Sequence, residues 1–555
     1  MPGTTRKTLI RATAFAAAVV AIGSLGQVAG FAGAAHAATH GPTRSVPLIP
    51  GNLLVSTSTF DTTPHIVPGT TQLPLGCTGA NCVTAIADGT YPYVFNNDTV
   101  DANFGVTSPI SLDEVTPSGR RLGSIIVPAP TNSRDGLTSG AVTSFSSKSE
   151  VALNLSTSGK YLTFMGYQAP DGGIDVSNSN TPGVVDPTNP DPLSYYRVVA
   201  KLSQNGKFTF TNTNAYSGNN GRAAILDDNR GSDSLFTVGN AGNGSNPQPA
   251  GVVLGAGAQI IKPSTRDQSE QDPGQPTPVG SFSVTELGST ADKVGKDDNF
   301  RGLTVSNNVL YYTKGSGSNG VDTVYFLDTT GTACPTGVGI PAPGAALPST
   351  ALADDAATGL TNNMCILRGF PTTSAKVNTT SFPFGLWFAN SKTLYVADEG
   401  NGTTTFDRAT GTYTAAAAST TAGLQKWTFD SSTGSWQLAY TLQSGLKLGQ
   451  PYRVAGYPTG TNAVTNLPWA PATDGLRNIT GRLNRDGTVS IWAVTSTVSG
   501  GGDIGADPNQ LLTITDRLAA SSPAHETFRT VTAPENATVV RGVSFTPGTQ
   551  ADRGR

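Results

Sequence analysis

The stretch VVRGVSF (539–545) near the end of the chain reads as a strand, followed by a TPG turn and a polar tail to Arg555. A strand alone at a terminus exposes unpaired backbone donors and acceptors, so it must find a partner elsewhere. Its form recurs upstream: a small or basic residue opens a strand, a second strand rich in Tyr, Leu and Val follows, then two more. The clearest copy is NFRGLTVSNNVLYYTKG (299–315), continued by DTVYFLDT (322–329) and CILRGF (365–370). A second runs FPFGLWFANSKTLYVADEG (382–400), GLQKWTFD (423–430), SWQLAYTL (435–442). A third runs GLRNITGRLNRDGTVSIWAVTS (475–496), QLLTITDR (510–517), ETFRTVTA (526–533).

Weaker copies start at SEVALNLSTSGKYLTFMGY (149–167), leading to YYRVVAKLSQNGKFTFTNT (195–213), and at GRAAILDDNRGSDSLFTVGN (221–240), leading to AGVVLGAGAQIIKP (250–263) and GSFSVTEL (280–287). VVRGVSF matches the first strand of this unit and nothing follows it. GNLLVSTSTF (51–60), TYPYVFNND (90–98) and SPISLDEVTP (108–117) match second, third and fourth strands with no first strand before them. One unit is therefore split between the termini, as a ring of blades requires if it is to leave no free edge. The expectation is an all-β closed propeller of six four-stranded blades over 51–547, the last blade formed by 51–117 plus 539–547. Seven blades is the alternative if an irregular loop hides one. Abundant Gly (65) and Pro (37) with 13% charged residues fit many short strands and turns.

Arg6, Lys7 and Arg11 precede an apolar run, and Ala35-His36-Ala37 forms an A-x-A cleavage site. Residues 1–37 are expected to be an export signal, 38–50 a flexible mature start, and 548–555 a disordered tail. Cleavage lowers Lys+Arg from 35 to 32 against 38 acidic residues, a net charge of −6. That balance disfavours nucleic acid and anionic membranes as partners. In an exported chain the four cysteines read as two disulfides, Cys77–Cys82 and Cys334–Cys365. The expected product is a secreted monomer, with no membrane attachment after cleavage.

LYVADEGNG (394–402) resembles the LYVAD-x-GN stretch of NHL-type propellers, and the chain is similar to poorly characterised secreted bacterial propeller proteins carrying that motif. The resemblance implies the fold; propellers host binders, hydrolases and lyases alike. In such a ring the first strands line the channel and begin at its top face. Arg222, Arg301, Arg477 and Arg541 occupy comparable early positions in four first strands; Phe384 takes the place in a fifth, and Lys148 or Glu150 falls near it in the sixth. These arginines have two readings: an anion-binding ring at the channel mouth, or ties between blades, bonded to backbone carbonyls or to Asp228, Asp298 and Asp474.

Long Asp/Asn/Gly-rich loops at 169–192, 398–411 and 499–510 could supply oxygen ligands for Ca²⁺, with Asp398 and Glu399 as the metal candidates; turns capped by their own side chains are the commoner explanation. Six-bladed calcium-dependent lactonases, which the fold resembles, place such ligands around the channel. No Ser-His-Asp set, G-x-S-x-G, H-E-x-x-H or Walker A pattern is present. The expected function is therefore a binding or scaffold protein recognising an extracellular protein, glycan or cell-envelope ligand through its top-face loops. The alternative is a hydrolase or lyase, calcium-assisted or not, acting on an anionic or sugar-derived small molecule in the channel.

Overall fold

The computed structural model describes residues 47–550, apart from 61–66, 68, 74–77, 81, 86–104, 131–138, 146, 175, 185–192, 230–232, 241–256, 267, 271–276, 291–296, 353–362 and 502–504. The described residues are almost wholly strand and turn; the longest helix is the five-residue Thr414–Ala418. The sheets are arranged as the blades of a propeller. The expected signal, 1–37, lies outside the described residues, as do 551–555.

Four sheets are sequential antiparallel meanders. One joins Gly221–Asp227, Ser234–Gly239, Ala258–Ile261 and Pro278–Gly280. The next joins Leu303–Ser306, Val309–Lys314, Thr323–Leu327 and Met364–Leu367, with Val338–Gly339 added parallel to its outer strand. Pro383–Asn390, Thr393–Asp398, Gly423–Asp430 and Ser435–Leu442 make the third. Ala472–Leu483, Thr488–Val498, Leu511–Arg517 and Arg529–Thr532 make the fourth.

Two short hairpins stand apart, Gln72–Leu73 with Val83–Thr84 and Phe406–Asp407 with Thr412–Tyr413; the other strands form one ten-stranded sheet, and it holds both ends of the described chain. Thr538–Phe545 pairs antiparallel with Leu53–Thr59, Val55 opposite Val543 and Thr59 opposite Thr538. Leu53–Thr59 then pairs with Thr107–Val115, and that strand with Arg121–Ile126. Val142–Ser144 bridges Thr107–Val115 to Tyr161–Tyr167. Tyr161–Tyr167 pairs with Asn154–Leu155 on one side and Arg197–Ser203 on the other, followed by Phe208–Thr213. Gln268–Glu270 adds parallel to the last of these.

Two strand expectations are corrected. SPISLDEVTP supplies the strand next to Leu53–Thr59 and so stands third; the fourth is Arg121–Ile126, whose RLGSII breaks apolar alternation at Gly123 and Ser124. TYPYVFNND lies outside the described residues. In GSFSVTEL the strand ends at Gly280, and Val284–Leu287 is a 3₁₀ turn whose N-cap, Ser283, accepts the Thr285 N–H through its side chain. Residues near both ends of the described range are hydrogen-bonded to the sheet. Leu48 is buried and its N–H donates to the Gln204 carbonyl (2.8 Å), while the Gly548 N–H donates to the Gly159 carbonyl (2.8 Å).

The first strands lie side by side. Asn154–Leu155 touches Gly221–Asp227, which touches Leu303–Ser306, and the contacts continue through Pro383–Asn390, Ala472–Leu483 and Thr538–Phe545 back to Asn154–Leu155. The glycine after the basic residue makes this approach feasible. A Cβ on Gly302 would stand 2.0 Å from the Phe384 carbonyl oxygen, and one on Gly542 would stand 2.7 Å from that of Val151.

The terminal pairing is sealed by apolar packing. Leu53, Val55, Val115, Val540, Val543 and Phe545 cluster with Trp492, Val494 and Leu511 of the neighbouring sheet. Trp492 meets Phe545 edge-on at 5.5 Å and donates its indole N–H to the Pro117 carbonyl (3.1 Å). Each such buried side chain contributes about 1.5–3 kcal/mol. Elsewhere Cys334 and Cys365 form a disulfide, tying the long connection of the second meander to its outer strand. Cys82 is also disulfide-bonded; Cys77 lies outside the described residues.

Candidate functional site

A cavity of about 190 Å³ opens where first strands begin and second strands end. Its walls are Lys148, the Gly315–Ser316–Gly317 turn, Asp322, Phe382, the Glu399–Gly402 segment, Asp474, Arg477, Ser496 and Thr497, with Ala375 at its edge. The segment from Glu399 continues LYVAD, the motif stretch, out of the strand Thr393–Asp398.

The four arginines separate on inspection of their partners. Arg541, 2% exposed, donates to Ser58 Oγ (3.0 Å) and to the carbonyls of Ser144 (3.4 Å), Phe145, Ser147 and Gly505 (3.3 Å). Arg222 donates to Asn299 Oδ1 and the Phe300 carbonyl (2.8 Å), reaching from one sheet to the segment that opens the next. Neither lines the cavity. Arg301 donates to Ser149 Oγ (2.5 Å) and Ser316 Oγ, with its guanidinium 6.0 Å from the centre of the Phe384 ring. Arg477 lines the cavity and donates from Nε to Glu399 Oε2 (3.2 Å), while its buried Nη2 has no protein partner.

The aspartates expected as tying partners do other work. Asp228 accepts from the Ser158 N–H (2.9 Å), Asp298 from that of Phe282 (2.7 Å), and Asp474 from that of Gly402 (2.8 Å). The two candidates for the sixth position differ from one another. Lys148 Nζ lies 3.1 Å from Glu399 Oε1, at the cavity wall. Glu150 turns into a buried network, accepting from Thr143 Oγ1 (2.6 Å), the Ser144 N–H (3.0 Å) and the Tyr167 hydroxyl.

Three carboxyl groups of this region differ in charge state. Burial pushes Glu399 up, yet Lys148, Arg477 and Arg301 outweigh it and hold the group below the usual carboxylate range. Burial raises Asp474 to about 7, against the Gly402 N–H and with the help of the Glu399 charge. Asp398 is likewise raised to about 7 by burial, against the N–H groups of Phe382 and Gly400. Burial among Arg301 and Arg477 lowers Lys148 to about 8 despite Glu399, and its 26% side-chain exposure leaves the ammonium in touch with water.

Asp398 and Glu399, the metal candidates, have their oxygens engaged by protein donors. Asp398 accepts from the N–H groups of Phe382 (2.8 Å) and Gly400 (3.0 Å) and from Gln425 Nε2 (3.3 Å); Glu399 holds Lys148 and Arg477. A cation here would have to displace two positive side chains. In the loop 398–411, Asp407 accepts from the Ala409 N–H (2.8 Å) and Thr410 Oγ1 (2.9 Å), a self-capped turn. Among the described residues, the grouping of side chains close enough to hold a metal is Asp328 with Cys334 and Cys365, whose sulfurs are bonded to each other.

Sequence reasoning missed several buried polar groups. Arg197, wholly buried, donates to the carbonyls of Ser177 (3.1 Å), Ser179 (2.7 Å), Tyr195 (2.8 Å) and Asn219 (2.9 Å from Nε). Lys314 and Asp322 form a buried ion pair at 2.7 Å. Asp474, one of the expected tying residues, has its Oδ1 buried without a partner and lines the cavity. The pattern Asp474-x-x-Arg477 carries no alternation signal, since positions three apart face opposite sides of a regular strand. An irregularity in the pairing between Thr473 and Leu476 lets both line one cavity.

No family model matches the chain, and no curated protein matches it. Among solved structures it is similar to NanB in complex with Optactamide, at 7% identity and TM-score 0.33, over 72% of this chain and 62% of that one. It is also similar to a Glu150Asp mutant of the Synechocystis apocarotenoid oxygenase, at 10% identity and TM-score 0.18, over 77% of this chain and 59% of the other. The chain thus spans less than two thirds of either protein's length. No helix among the described residues is long and apolar enough to cross a membrane.

Proposed function

We propose that this chain is an exported, NHL-like propeller of six blades that binds a protein, glycan or cell-envelope ligand at the end where the 190 Å³ cavity opens. Six blades follow if the ten-stranded sheet is two blades joined through Val142–Ser144. The unbroken circuit of contacts among first strands supports this count. So does a second cavity of about 670 Å³, to which Leu155, Ile225, Val305, Leu386, Ile479 and Phe545 each bring a different first strand. Disulfide bonding at Cys82, Cys334 and Cys365 supports an oxidising destination.

The observation that carries binding is a buried donor and a buried acceptor, Arg477 Nη2 and Asp474 Oδ1, on two residues that line the first cavity and both without protein partners. Buried polar atoms are nearly always satisfied, and a ligand would satisfy these two. The test is capture of cell-envelope glycans of defined composition by the immobilised mature chain, residues 38–555. Arg477→Met is expected to lower capture, and a panel that binds neither chain would refute the reading.

The second reading, a hydrolase or lyase, is favoured by one feature. Glu399 is held ionised while Asp474, on the same cavity, titrates near neutrality, a division that suits a base and an acid. Turnover of a captured glycan, lost in Asp474→Asn, would decide for it.

A further inference from the structure

We infer that the 190 Å³ cavity takes a hydroxycarboxylate of monosaccharide size, its carboxylate on Arg477 and Lys148 and a hydroxyl donating to Asp474. This deepens the binding reading above and rests on it. Size comes first: an apolar cavity of about 150 Å³ accommodates benzene, so this volume suits one sugar-sized ring, free or at the end of a glycan.

Chemistry narrows the class further. Arg477 gives its Nε to Glu399 and keeps Nη2, 3% exposed as a residue, with no protein acceptor. Lys148 shares Glu399 and retains two donors of its three by valence. One carboxylate placed between these cations satisfies both. A neutral sugar would offer the guanidinium nitrogen only a hydroxyl oxygen, a weaker acceptor than a carboxylate. Sulfate is disfavoured by Asp474 Oδ1, a buried acceptor that would face further acceptor oxygens with no hydroxyl to offer it. A hydroxyl beside a carboxylate supplies the donor that this oxygen lacks. An ammonium at that place would meet Lys148, Arg477 and Arg301, which already oppose one another electrostatically.

The walls are shaped for close approach. Gly400 has φ +80, and a Cβ there would sit 2.4 Å from the Asp474 carboxyl carbon. Any side chain at this position would press against the Asp474 carboxyl, so glycine is what lets the two approach this closely.

The experiment is calorimetric titration of the mature chain with sodium D-glucuronate, D-glucose and inorganic sulfate. Glucuronate is expected to bind at least tenfold more tightly than either of the others, and Arg477→Met to weaken it by about 10- to 100-fold, the range for a hydrogen bond to a charged group. Should Arg477→Met fail to fold, Gly400→Ala, which keeps every charge, is expected to lose glucuronate binding with an unchanged circular-dichroism spectrum. Equal binding of glucose and glucuronate, or no glucuronate binding in a sample that still captures envelope glycans, would overturn this assignment and leave the broader one standing. Absence of both kinds of binding would remove the two together.

Discussion

Replacing Arg541 by Ala isolates the tie between the strand at the C-terminal end and the opening of the neighbouring blade. The guanidinium satisfies at least five acceptors: Ser58 Oγ and the carbonyls of Ser144, Phe145, Ser147 and Gly505. Each buried group left unsatisfied costs about 1–3 kcal/mol, and water entering the vacated volume restores part of that, so the net loss is about 4 kcal/mol. An unfolding entropy of about 2 cal/mol/K per residue over a domain of roughly 500 residues gives about 1 kcal/mol/K. The expected fall in Tm by differential scanning calorimetry is therefore about 4 °C, with Arg541→Lys recovering less than half because an ammonium cannot reproduce the fork. A Tm within about 1 °C of the parent would refute the reasoning that these bonds hold the blades together.

Deletion of 539–555 strips Leu53–Thr59 of its neighbour and opens the Trp492 cluster, and is expected to abolish a single cooperative melt; an unchanged transition would sink the closure. Asp398 and Asp474, raised to about 7, give a definite sign to the pH dependence. The native state holds protons that the unfolded chain releases near pH 4. Their burial therefore costs nothing below that pH, and the cost grows up to pH 7 and is complete above it. Tm should fall from pH 5 to pH 8, and Asp474→Asn should flatten that fall and raise Tm at pH 8. A slope unaltered in the variant would contradict it. Glu399 acts in the opposite sense, its stabilisation present above its ordinary range and lost as acid protonates it.

Much of the strand plan was legible because it depends on local order. GLQKWTFD and SWQLAYTL coincide with Gly423–Asp430 and Ser435–Leu442 residue for residue, each bounded by turns and apolar enough to pack. The failures fall where that order is thin. RLGSII carries a glycine and a serine mid-strand, and it is held by pairing with Thr107–Val115 more than by its own preference. In the candidate site, the positions of Arg301 and Arg477 were marked by their place at the start of first strands. Their different partners were not, since the targets are a serine from a distant loop and a glutamate from the preceding sheet.

The sequence by itself determined that the chain builds repeated four-stranded units and that the strand near its end belongs with the one near its beginning. Alternation, turn residues and an incomplete unit at each terminus are local or countable properties. Tertiary structure alone decided which charges meet. Arg541 became a buried tie because carbonyls from two separate segments, 144–147 and Gly505, converge on it together with Ser58 Oγ. Asp474 and Arg477 came to share a cavity because the pairing slips between Thr473 and Leu476. Register and backbone path are set by packing against neighbouring blades, and no residue carries that information in its own identity.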